Sequence, residues 1–166
     1  MARMTNGKQC KCGRSIITRT GDPKARVAVL GDYPFFDELR SGVAFRGSIG
    51  DILRSELGKV GVQFEQLYGL HFWNHIKTDE CDVALHAQQT LEAIKDCKLI
   101  LMLGNDPCQH FLGYSAPEIS GTIQKSKFLP KSIIVAGPIP ASFLRGPIGE
   151  LKLAIEKFTE QRRKLK

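Results

Sequence analysis

The 166-residue chain is 42% apolar and carries 24 Lys and Arg against 17 Asp and Glu, a formal net charge of +7. That length suits one domain with a real core, and no apolar run approaches the roughly 20 residues of a membrane span. The N-terminal MARMTNGKQCKCG lacks the apolar centre of a signal peptide. The expectation is a monomeric cytoplasmic protein with no membrane partner, whose five cysteines are metal ligands or buried thiols rather than a disulfide framework. The positive charge favours a polyanionic partner. Its concentration in the final EQRRKLK also suits a solvated helix end.

Taken in order, a segment at 1–22 brings Cys10 and Cys12. A nearly unbroken apolar run, Arg26–Leu30, predicts a strand buried on both faces. It stops at Gly31-Asp32 and meets an aromatic and acidic turn. From Ser48, Ile49, Ile52, Leu53, Leu57 and Val60 recur on one helical face. A second strand is predicted at Gln66–Trp73, and a helix from Asp82 with Val83, Ala84, Ala87, Leu91 and Ile94 inward. The third strand, Lys98–Leu103, leads into GNDPCQHFLG. This reads as a short helix with Asn105 or Asp106 as N-cap, Pro107 in the first turn and Gly113 just past the end. The fourth strand is Ser132–Ala136, and a last, basic helix over 149–166 buries Leu151, Ile155 and Phe158. Cys97 and Cys108, beside apolar faces, read as buried structural thiols.

Strand and helix in alternation predict an α/β fold: a three-layer sandwich with a central, mainly parallel four-stranded sheet flanked by helices, one domain over 1–166. In that architecture sites form beyond the C-terminal ends of the strands. Those ends are Gly31-Asp32, His71–His75, Gly104-Asn105 and Gly137–Pro140.

The first of these carries a resemblance. After the strand come Gly31-Asp32-Tyr33-Pro34, then Asp37-Glu38, then Gly42-Val43-Ala44-Phe45-Arg46-Gly47 and a helix. This resembles the opening of the uracil-DNA glycosylase superfamily, nearest its iron–sulfur-containing branches: Gly-Glu-x-Pro-Gly, an acidic turn and Gly-x-x-Phe-x-Gly. Further on, the LMLG strand and Pro140-Ala141-Ser142-Phe143-Leu144-Arg145 follow in the family's order, the latter similar to His-Pro-Ser/Ala-x-Leu-Leu-Arg. The resemblance spans roughly Cys10 to Arg145.

It implies a divergent DNA glycosylase that flips uracil or another modified base out of DNA and hydrolyses its N-glycosidic bond. By position, Asp32 takes the place of the acid that orients water or offsets the cationic sugar, and Phe45 that of the base-stacking aromatic. His71 stands where the family has its base-reading asparagine, as a second catalytic and base-binding candidate. Tyr33, in place of a small residue, and Asn74 complete the base-binding set. Ser48, Asn105, Ser142 and Arg145, at helix starts or loop ends, are the candidate DNA-phosphate contacts. Most have a plainer reading: a turn cap for Asp32, a core side chain for Phe45, a buried polar group for His71, ordinary helix capping for Ser48, Asn105, Ser142 and Arg145. Ile139 replaces the family's late histidine. The alternative it supports is a catalytically inactive protein of this fold that binds DNA or serves replication. The resemblance also implies a [4Fe-4S] cluster on Cys10, Cys12, His75 and Cys81, with zinc as the alternative. Here one residue, rather than the family's usual two, separates the first pair.

Overall fold

The computed structural model describes Cys10, Cys12, Arg14 and residues 16–165. Residues 1–9, 11, 13 and 15 of the 1–22 segment, and Lys166 of the basic tail, lie outside the described residues. Six strands form one sheet: β1 (Thr20–Gly21), β2 (Val27–Gly31), β3 (Tyr68–His71), β4 (Leu99–Leu103), β5 (Ile123–Ser126) and β6 (Leu129–Gly137), in the order β1-β3-β2-β4-β6-β5. The helices are α1 (Phe36–Ser41), α2 (Ser48–Lys59), α3 (Val83–Ile94), α4 (Asn105–Leu112), α5 (Ala116–Ile119), α6 (Pro140–Arg145) and α7 (Gly149–Lys164), with a 3-10 turn at Phe64–Gln66.

Apolar runs on successive strands need cover above and below, because alternate side chains leave the sheet on opposite faces. Val29, Leu99, Leu101, Leu103 and Val135 face one layer, where Leu53, Leu57, Leu151, Ile155 and Phe158 of α2 and α7 cover them. Ala28, Leu30, Ile100, Met102 and Ile134 face the other, against Ala87, Ile94, Cys108, Phe111 and Ile119 of α3, α4 and α5. Each Leu or Phe so enclosed contributes about 1.5–3 kcal/mol. This is the expected three-layer sandwich.

The four expected strands are its parallel middle, β3-β2-β4-β6. The sheet is wider than four strands because β1 and β5 add antiparallel edges. A two-residue strand and the polar IQKS carry too little apolar pattern to be read in advance. The strand expected from Gln66 begins at Tyr68, since the 3-10 turn takes Gln66. Its pairing continues past His71, where the Phe72 and Trp73 N–H groups donate to the Gly31 and Asp32 carbonyls at 2.9 Å.

From β2 the chain moves outward to β3 on one side, then returns to β4 on the other. The crevice between the C-terminal ends of β2 and β4 is therefore the switch point of the sheet, where open α/β folds hold their ligands. Asp32 follows β2 directly, and Gly104 and Asn105 follow β4.

Candidate functional site

Asp32 is only 3% exposed. Its Oδ2 accepts the backbone N–H of Asn105 at 2.9 Å, so a carboxylate at the end of one strand caps the helix that follows another. The cap residue of α4 is Gly104, not Asn105 or Asp106 as expected. The reason is steric. Gly104 has φ +105°, and a Cβ there would lie 2.4 Å from the Asp32 Cβ. The capping oxygen comes from across the switch point. Asp32 Oδ1, by contrast, is buried without a hydrogen-bond partner. Burial pushes this carboxyl up to about 6, and the Asp106 charge adds to that, against the N–H groups of Asn105 and Asp106 and the Lys77 ammonium. An oxygen held in place beside one left open is the arrangement a water-orienting carboxylate needs.

Phe45 is fully buried, with φ +59°, a left-handed conformation costly for a bulky residue. Glu38 secures it. Its Oε1 accepts the Phe45 N–H at 2.5 Å and its Oε2 accepts the Phe35 N–H at 2.7 Å. Oε1 is also hydrogen-bonded to His71 Nε2 at 2.5 Å. The His71 ring lies over Phe45, centroids 4.5 Å apart and planes 31° apart. His71 thus covers one face of the Phe45 ring. Only glycine at 31 leaves room for it, since a Cβ there would sit 2.3 Å from His71 Nδ1. That Nδ1 is buried and has no partner.

Asn74, half-buried just beyond, adds a third unpartnered buried atom, Oδ1. Asp32, His71 and Asn74 therefore all present unsatisfied polar atoms at the ends of β2 and β3. Buried polar groups are rarely left unpaired, so this edge can take a polar ligand or water. Tyr33 is exposed and stacks on Phe35 at 5.2 Å. Ser48 is exposed as the first residue of α2, and Arg145 is exposed in the last turn of α6. Asn105 is committed internally: its N–H goes to Asp32 and its Oδ1 accepts the Ala116 N–H at 3.0 Å. The Ser142 hydroxyl donates to the Ile139 carbonyl at 2.7 Å, a helix-start contact. Ile139 packs against the α3–α5 core layer.

Beside Asp32 a groove of about 310 Å³ is lined by Trp73, Lys77, Asp106 and His110 among others. Trp73 donates its indole N–H to Asp106 Oδ2 at 2.7 Å, and Lys77 reaches the same oxygen at 3.2 Å. Glu38 and Asp106 are the residues that sequence reasoning passed over. No sequence signal singled out Glu38, because Phe35 at the helix start has no side-chain oxygen to complete a capping box and Glu38 reaches back only to its N–H. For Asp106 no sequence signal separated a groove wall from a helix cap.

The four sequence-predicted metal ligands do meet. The ligand atoms of Cys10, Cys12, His75 and Cys81 lie within 4.8 Å of one another, so the group could hold a metal. The Cys10 thiol is lowered to about 5, chiefly by the Cys12 backbone N–H, which suits a thiolate ligand. Cys97 and Cys108 are buried thiols, pushed up by that burial to about 11 and about 12. All five cysteines are free of disulfides.

The family model of the uracil DNA glycosylase superfamily matches residues 18–163. No curated protein matches the chain.

Proposed function

The chain belongs to the uracil-DNA glycosylase superfamily, and from that premise we propose that it is a divergent DNA glycosylase, excising uracil or another modified base. The observation that carries this reading is Asp32: buried at the switch point, one oxygen on the start of α4 and the other without a partner. In the proposed step, Asp32 as carboxylate orients a water through Oδ1 and accepts one of its protons. The water oxygen bonds to C1′ of the deoxyribose as the C1′–N bond breaks, and that electron pair leaves with the base. The same negative charge offsets the cationic sugar in the transition state. His71 and Asn74 supply polar atoms for the base edge. Tyr33 offers an exposed ring at the rim, and Ser48, Ser142 and Arg145 are placed to meet phosphates. Asn105 acts through Asp32 instead, because its backbone N–H is spent there.

His71 over Phe45 favours a second reading, a protein of this fold that binds DNA without excising a base. Here one face of the Phe45 ring is covered from within, and Ile139 supplies no hydrogen bond to a leaving base. No helix among the described residues is long and apolar enough to cross a membrane, and the charge of +7 fits DNA as the partner under either reading. The test is incubation with single- and double-stranded oligonucleotides carrying uracil or other modified bases, followed by alkali to break abasic sites. The first reading expects strand cleavage. Retained DNA binding with no cleavage on any substrate selects the second.

A further inference from the structure

We propose that Cys10, Cys12, His75 and Cys81 form a mononuclear tetrahedral site for zinc, not the corner ligands of an iron–sulfur cubane. Spacing separates the two. With Zn–S of about 2.3 Å and Zn–N of about 2.0–2.1 Å, tetrahedral donors stand about 3.5–3.8 Å apart. A cubane places each ligand on a different iron, at a different corner, so its ligand atoms stand much farther from one another. Here all four donors fall within 4.8 Å of one another, and Cys12 Sγ lies 3.5 Å from His75 Nε2. The set would have to expand on every side to take a cluster. It needs to contract only slightly around one ion.

The surroundings suit a single soft divalent cation. His75 Nδ1 donates to the Ile76 carbonyl at 2.8 Å, which fixes the tautomer and leaves the Nε2 lone pair facing Cys12. Cys81 Sγ sits 3.2 Å from the Thr78 N–H and 3.3 Å from the Thr78 hydroxyl, the outer hydrogen bonding that steadies a coordinating thiolate. His86, buried on α3, stands edge-on to the His75 ring at 4.6 Å, and its side chain reaches the Cys10 thiol. It is within reach to serve as a further outer partner. Three thiolates and one imidazole are a closed structural zinc set, with no position left for water or substrate. The ion would therefore tie the N-terminal segment to the loop after β3 and take no part in chemistry on DNA.

The test uses the full chain, purified with and without air and then assayed for bound metal and visible absorption. The expected result is a colourless protein with one zinc per chain, and no brown chromophore after anaerobic incubation with ferrous iron and sulfide. Cobalt(II) titrated into the metal-free protein should give one equivalent of the intense visible bands of a tetrahedral thiolate site. Cys81→Ser and His75→Ala should each cut bound zinc by tenfold or more, with circular dichroism to show that the chain remains folded. A brown protein carrying several irons and acid-labile sulfide overturns the proposal. So does a folded chain that binds neither zinc nor cobalt, or that gives only the weak bands of octahedral cobalt. All these readouts are independent of base excision, so they stand or fall apart from the glycosylase reading.

Discussion

Replacing Asp32 with asparagine should make the protein more stable while removing its proposed activity. The carboxyl moves from an ordinary 3.8 to about 6, roughly two units, and each unit is worth about 1.36 kcal/mol. Ionising Asp32 in the folded chain therefore costs about 3 kcal/mol near neutral pH. The sign follows from which state binds the proton. Below pH 3.8 folded and unfolded chains both hold it and no penalty exists. Between there and about 6 the unfolded chain releases it and the folded chain keeps it, so stability falls as pH rises. Above that window the loss is complete. Asparagine does not titrate, and its amide oxygen can still accept the Asn105 N–H. Asp32→Asn should raise Tm by on the order of 5–10 °C at pH 7 and by little at pH 4. Thermal melts of both proteins across that range are the assay. A variant less stable than the parent at pH 7, or a difference that does not change with pH, would refute the claim that Asp32 is held ionised against its surroundings.

Three further substitutions probe the base site. Gly31→Ala puts a methyl 2.3 Å from His71 Nδ1 and should cost about 1–3 kcal/mol in thermal or urea denaturation, because the ring is boxed in by Phe45 and Glu38. An unchanged midpoint would mean that His71 is free to move. His71→Asn takes the ring off Phe45 and restores the amide of the family pattern; uracil excision by the alkaline-cleavage assay should rise, and no change in a folded variant counts against a base site at Phe45. Ile139→His returns a hydrogen-bond donor to the last loop and should raise excision by about tenfold or more, read as a single-turnover rate.

What could be read from the sequence was whatever a local pattern encodes. Nearly unbroken apolar runs identified three of the four parallel strands, β2, β4 and the later part of β6, as burial on both faces requires, whereas β3 carries a buried histidine at its end. Gly113, left-handed at the end of α4, followed from capping chemistry alone, and the helix from Asp82 from the spacing of its apolar residues. Cys10, Cys12, His75 and Cys81 were assembled from resemblance, and the structure gathers them. What could not be read was anything made by two distant segments. Asp32 capping α4, Gly104 yielding space to it and Glu38 reaching His71 are tertiary facts between residues 33 or more apart in sequence. The filled face of Phe45 is of the same kind. A ring pair joining β3 to the loop after α1 leaves no periodic trace in the chain.

The central claim is that Asp32 is the group on which base excision depends. It is tested most directly by single-turnover excision from a uracil-containing oligonucleotide, parent against Asp32→Asn, across pH 4.5–8. The parent rate should climb with pH and level above about 6, as the carboxyl ionises. The Asp32→Asn rate should be lower by roughly a hundredfold or more, with DNA binding intact. An Asp32→Asn protein that excises as fast as the parent would contradict it.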